Sequence, residues 1–142
     1  MNISYQVLLT LEIVLKLIIS ALCGSALLLG SEKPNRSMYS HIFVMTSLGA
    51  CLFVILWDIN FGDAVGLSMM FFSSIIVFLG IISSSIIITH HGSLDGLVIA
   101  ATIWVTGGIG VAIGHSLYFI AIVTTFITYV FLRLFSQKTD FL

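Results

Sequence analysis

Glu12 and Lys16 are the residues whose types and spacing most directly suggest chemistry. They lie four apart in a long apolar run, so a helix sets them on one face with the acid on the N-terminal side, the better orientation for an ion pair. An ionisable group deep in a membrane helix costs about 2.5–3.5 kcal/mol and by default marks a functional position. The structural alternatives are a mutually neutralised pair and snorkelling of Glu12 toward an interface. His90, His91 and Asp95 form a second cluster. Imidazoles suit zinc or copper, whereas magnesium prefers oxygen ligands. Gly92 interrupts the helix that would align His91 with Asp95, so a solvated loop is the simpler reading of the cluster. Asp58 and Asp63 form a third group able to attract a divalent cation, but no scaffold accompanies the two carboxylates. His115 reads as a turn residue. Ser68, Ser73, Ser74, Ser83, Ser84 and Ser85 mark either close helix packing or the lining of a water-filled path. Packing is favoured, since no acid or base lies among them. Cys23 and Cys51 sit in apolar runs and read as packing residues. No nucleophile–base–acid set, phosphate loop or cofactor motif is visible, so neither an enzyme nor a cofactor is expected.

The elements that position these residues follow from composition. The chain has 142 residues, 59% hydrophobic and 8% charged, with mean hydropathy +1.21. A soluble domain carries about 25% charged residues, so this chain cannot cover a surface in water and lipid must be its solvent. A net charge of −1 leaves no electrostatic footprint for nucleic acid. A spanning helix needs about 20 mostly apolar residues. Five segments qualify, at about 5–29, 41–57, 64–89, 94–113 and 117–135. The expected architecture is an all-α membrane protein, a compact bundle of about five transmembrane helices in a single domain over 1–142. Its linkers are short. The first, Ser31 to Ser37, holds the only proline, Pro34. Short connections predict that consecutive helices are antiparallel and adjacent.

Orientation is read from Lys and Arg. Lys33, Arg36, Arg133 and Lys138, four of the five basic residues, fall on the side shared by the first and third linkers and the C-terminus. That side is expected to be the cytoplasm, with the N-terminus outside. The first eleven residues contain no Lys or Arg, and Lys16 interrupts the apolar run. The first segment is therefore expected to be a retained helix rather than a signal peptide.

The most distinctive stretch runs from Ala100 to Gly114, with four glycines and three alanines in fifteen positions. In a membrane, small residues let a second helix approach closely. Gly107, Gly108, Gly110 and Gly114, with Trp104, are the expected helix-packing residues, and Gly110 and Gly114 have small-xxx-small spacing.

Ala100-Ala101-Thr102-Ile103-Trp104, then Gly108-Ile109-Gly110 and Gly114, resembles the fourth-helix signature of the MgtC/SapB family of bacterial inner-membrane proteins. Gly96-Leu97, Ala121, Thr124 and Leu132-Arg133 fit the same pattern, as do Asp63 and Phe78-Leu79-Gly80 upstream. Leu48-Gly49-Ala50 resembles the second helix. Gly30, Glu32, Lys33 and Arg36 resemble the first cytoplasmic linker. The departures are specific. Tyr39-Ser40-His41-Ile42 replaces a Gly-Leu-Arg-Thr run, isoleucine and serine replace third-helix glycines, Asp95 replaces an arginine, and Val98 replaces a polar residue. The C-terminal ACT-like domain of virulence-associated members is expected to be absent. Most of these changes lie on the cytoplasmic rim formed by Glu32, Lys33, Arg36 and Asp95, so they bear on the family activity more than on the fold.

The resemblance implies a small, multi-pass protein of the bacterial inner membrane, linked to magnesium or proton homeostasis and to survival inside host cells. It would be a non-enzymatic regulator acting by helix–helix contact with other integral membrane proteins, within the lipid bilayer and as a homo-oligomer. One alternative is a cation or proton transporter or channel subunit, with Glu12, Lys16 and the third-helix serines along its path. The other is a structural accessory subunit of a membrane complex.

Overall fold

The computed structural model describes residues 3–30, 36–61, 65–91 and 93–139, with side-chain surroundings left aside at 28, 30, 36–40, 65–69, 95 and 135–139. Five helices run α1 Ile3–Ala26, α2 Arg36–Phe61, α3 Val65–Thr89, α4 Leu94–Gly114 and α5 Tyr118–Thr139, and a short 3-10 turn, Leu27–Gly30, follows α1. At 1.5 Å per residue the shortest, the 21-residue α4, is about 31 Å long, enough to cross a hydrocarbon core of about 30 Å. Among the described residues, four helices are long and apolar enough to span a membrane, and α5 adds the shorter apolar stretch Tyr118–Leu134. The class is therefore an all-α, multi-pass bundle of four to five long apolar helices.

The second helix is longer than the apolar run alone predicts. It begins at Arg36 and continues through Asp58 to Phe61. Asp58 and Asn60 are thus helical rather than linker residues, and the Asn60 amide donates to Leu56 O at 2.7 Å. Hydropathy marks only the part of a helix that lies in hydrocarbon, whereas the backbone ladder continues into the polar layer.

The chain reversals have local causes. Ser93 caps α4, its hydroxyl accepting from Gly96 N at 3.3 Å. At the other end of α4, Leu117 N donates to Ala112 O at 2.8 Å and Ser116 N to Ile113 O at 2.9 Å. This is a Schellman closure with Ser116 in the left-handed conformation, φ 64°. The left-handed position falls on a serine although Gly114 is two residues away. Gly114 remains in the helix, where its missing side chain serves a different purpose.

The helix α4 is the hub. It packs most extensively on α2 and also contacts α3, α5 and α1, while α1 packs mainly on α2 and the 3-10 turn packs against α5. Ile103, Ile109 and Ile113 of α4 join Leu27, Phe43, Cys51, Ile55, Leu79 and Ala121 in one buried cluster. Among the described residues, α2 and α3 share no extended interface although they are consecutive. They meet through Phe53, Trp57 and Phe71, with Trp57 stacked on Phe71 at 4.8 Å and Phe53 edge-on to it at 6.0 Å. The expectation that short linkers make every consecutive pair adjacent fails here, because α4 offers both helices a closer-packing surface than they offer each other.

Candidate functional site

The glycines of α4 are the centre of the packing, and each has its own neighbour. A Cβ at Gly110 would overlap Ser47 O and come within 2.9 Å of Ala50 Cβ. At Gly114 it would lie 2.6 Å from Val54 Cβ, and at Gly107 2.7 Å from Leu79 Cδ1. Gly110 and Gly114 therefore seat α4 on α2, and Gly107 seats it on α3. At Gly108 a Cβ would meet nothing within 4 Å. Leu97, Ala101, Trp104 and Gly108, spaced i, i+4, i+7 and i+11, form the exposed stripe of α4. Trp104 lies 41% exposed, with its ring edge 3.9 Å from where a Cβ of Gly80 would be.

A second close approach joins α1 to α2. A Cβ at Gly24 would stand 3.2 Å from Phe43 O, Val44 Cα and Ser47 Cβ. One turn away, Ser47 Oγ donates to Ser20 O at 3.0 Å, and the two hydroxyls lie 2.8 Å apart, so Ser20 is left to donate to Ser47 Oγ. Both serines are fully buried. Ser20, Gly24 and Ser47 were not singled out from sequence. The available signal is that Glu12, Lys16, Ser20 and Gly24 repeat every four residues along one face of α1. The buried threonines bond within their own helices, Thr106 to Thr102 O at 2.7 Å and Thr125 to Ala121 O at 2.8 Å. Among the described residues, no buried side-chain polar atom lacks a partner.

Glu12 and Lys16 are paired, Nζ to Oε1 at 3.2 Å, with Lys16 14% exposed and Glu12 60% exposed. The pair thus turns its cation toward the bundle and its carboxylate outward. The α3 serines are elsewhere, since α3 packs on α4 and α1 on α2. Ser83 is buried and donates to Ala100 O at 3.4 Å, Ser74 donates to Met70 O at 3.0 Å, and Ser73, Ser84 and Ser85 are exposed. One chain does not assemble Glu12, Lys16 and these serines into a path.

The remaining candidates are scattered. Asp58 Oδ2 lies 3.9 Å from His115 Nδ1 where α2 and α4 end. His90 and His91 are at the far end of α3, which is 25 residues, about 37 Å, long. His91 takes φ 52° in that turn, and His90 stands beside Gly96, whose added Cβ would lie 2.7 Å from His90 Cβ. Among the described residues, no three His, Cys, Asp or Glu side chains gather as for a metal ion. Glu32, Lys33 and Asp63 lie outside the described residues. Arg36 and Asp95 lie in the first turns of α2 and α4. Cys23 and Cys51 are free thiols, half-buried and buried.

Between α2 and α3 runs an apolar groove that the sequence did not announce. Its enclosed part is about 280 Å³, walled by Phe53, Phe71 and Phe78, with Gly49, Ala50 and Leu79 beneath. It continues along Met45 and Thr46 to a more open stretch reaching His41 and Ile86.

Residues 17–141 match the MgtC family. The chain is 29% identical to "Putative magnesium transporter YhiD" of Escherichia coli K12, over 139 aligned residues covering 92% of this chain and 63% of that protein. The identity and coverage are the same for "Uncharacterized protein YhiD" of Escherichia coli O157:H7. The chain thus spans 63% of the length of these curated relatives. No solved structure matches it. With a family match over most of its length and, among the described residues, four helices able to cross a bilayer, the chain belongs to the MgtC family and is a multi-pass membrane protein, a topology consistent with the inner-membrane localisation of that family.

Proposed function

We propose that this chain is a membrane regulator that acts by helix–helix contact with another integral membrane protein, and that the contact is made by the exposed stripe of α4. The supporting observation is the division of α4 into two faces. Gly107, Gly110 and Gly114 are consumed by α2 and α3, whereas Gly108 has open space around it beside Trp104 and Ala101. Alternating small and large residues on a rigid hub let a partner backbone approach while Trp104 and Leu97 supply contact area. The chain is a single transmembrane domain with its N-terminus outside, supported by the distribution of Lys and Arg; a reporter fused after Leu142 that is active only outside the cytoplasm would contradict this orientation. Gly108→Phe is expected to fold normally and to lose partners in a mild-detergent pull-down read by mass spectrometry. Retention of every partner, and of any homo-oligomer, would sink the reading.

Transport is the second reading, favoured by the name that the Escherichia coli K12 relative carries. A homo-oligomer would then have to assemble the path that one chain leaves apart. Reconstituted protein should carry magnesium or proton flux, reduced in Glu12→Gln. Liposomes no leakier than protein-free ones under either gradient would exclude it.

A further inference from the structure

We propose that the groove between α2 and α3 binds one acyl chain of a phospholipid, inserted from the end where α2 begins. The first argument is size. The enclosed part, about 280 Å³, has room for about nine groups at ~30 Å³ each, the share of a water molecule in the liquid and close to that of a methylene. A helix about 10 Å across and as long as the 41–53 wall of α2, about 18 Å, fills on the order of 1,400 Å³. The enclosed part therefore matches a chain of methylenes, whereas a helix would lie across its open side rather than within it.

The second argument is chemistry. The two hydroxyls of the enclosed part are already committed to their own helices, Thr46 to Ile42 O at 2.7 Å and Ser74 to Met70 O at 3.0 Å. Their donors are spent, so the enclosed part offers water only the lone pairs of these two hydroxyls in an otherwise apolar wall, a poor site for a molecule that seeks two to four polar partners. In a bilayer, an apolar groove open to the side is filled by hydrocarbon.

The third argument is polarity of the groove along its length. The stack of Phe53, Trp57 and Phe71 closes one end. The other end opens past exposed His41, about 7 Å along α2 from Arg36. By their places at helix ends, Arg36 of α2 and Arg133 and Lys138 of α5 belong to the open end, together with Asp95 of α4. Among the described residues, the closed end holds Asp58 near the end of α2 and no Lys or Arg. A headgroup phosphate is favoured at the open end and disfavoured at the closed one.

Gly49 makes the test clean. An added Cβ at Gly49 meets nothing within 4 Å, as at Gly108, but Gly49 lines the groove and Gly108 does not. Wild type, Gly49→Phe and Gly108→Phe would be purified in mild detergent and examined by native mass spectrometry, with phosphatidylglycerol or phosphatidylethanolamine of matched chains added back. Wild type and Gly108→Phe should retain one phospholipid. Gly49→Phe should lose it by about tenfold or more while melting like wild type. Preference for phosphatidylglycerol would assign affinity to the basic mouth, and equal retention would assign it to the chain, both in support. Wild-type retention by Gly49→Phe, equal loss in Gly108→Phe, or loss of a protein or second copy instead of lipid in Gly49→Phe would overturn the proposal.

A second measurement does not depend on Gly49→Phe folding. In a Trp104→Phe background Trp57 is the sole tryptophan. Phospholipids brominated near the chain end should quench it more than those brominated near the headgroup. A Trp57 meeting only bulk lipid at its own interface would show the reverse order, which would count against the groove. Loss of lipid in Gly49→Phe with partners intact, and loss of partners in Gly108→Phe with lipid intact, keep this inference and the proposed function separable.

Discussion

Gly110→Leu should strongly destabilise the bundle, whereas Gly108→Leu, two residues away, should leave it intact. The Cβ alone at Gly110 overlaps the carbonyl oxygen of Ser47 and crowds Ala50 Cβ. A carbonyl oxygen in a helix cannot move without breaking the ladder, so α4 must separate from α2 along their largest interface. Overpacking costs about 1–3 kcal/mol where side chains can yield, and occasionally more. With backbone as the obstacle, at least ~3 kcal/mol is expected, a large share of a stability of about 5–15 kcal/mol. Gly110→Ala should lose part of this, since the clash begins at Cβ. Gly108→Leu should stay within about 0.5 kcal/mol of wild type. Thermal unfolding in detergent, followed by circular dichroism and size-exclusion recovery, reads the difference. Equal melting of Gly110→Leu and wild type would show that α4 does not sit on Ser47. The contrast also fixes how partner loss must be interpreted, because a Gly110 variant fails by unfolding and cannot report on a partner.

The second large effect is expected from the Glu12–Lys16 pair. Counting from Ile3 at 1.5 Å per residue, Glu12 lies about 13 Å and Lys16 about 19 Å into α1. On an exposed helix such a pair contributes about 0.3–0.5 kcal/mol. Here Lys16 is largely covered by the bundle and Glu12 faces the surrounding lipid. Either single change, Glu12→Gln or Lys16→Gln, leaves one charge in hydrocarbon at about 2.5–3.5 kcal/mol. The double variant removes both charges and should recover much of the loss, giving a coupling energy of about 2 kcal/mol by the double-mutant cycle. Additive losses, with coupling below about 0.5 kcal/mol, would place this part of α1 in contact with water.

Much of the architecture was legible because it depends on local quantities. The low charge and the apolar runs required lipid as solvent, and the run lengths located the helices to within a few residues, apart from the ends of α2. The small-xxx-small spacing of Gly110 and Gly114 is readable in the sequence, but the Ser47, Ala50 and Val54 atoms that crowd them are not. His90 and His91 fall at the end of α3, as the break at Gly92 implies, whereas Asp58, read from hydropathy as a linker residue, is carried by α2 one turn before its end at Phe61.

What the sequence determined by itself is what a single helix determines: its length, its need for hydrocarbon, and which residues share a face. Only the tertiary structure decided that Gly110 meets Ser47, that Ser20 and Ser47 satisfy each other, that Asp58 stands near His115, and that α2 and α3 part to leave a groove. These pairings join residues distant in the chain. In a membrane, apolar surface gives no preference for one neighbour over another, since lipid is equally apolar. Neighbours are then chosen by close backbone approach and matched hydroxyls, and a glycine in α4 discloses its choice only when the helix that fills its space is seen.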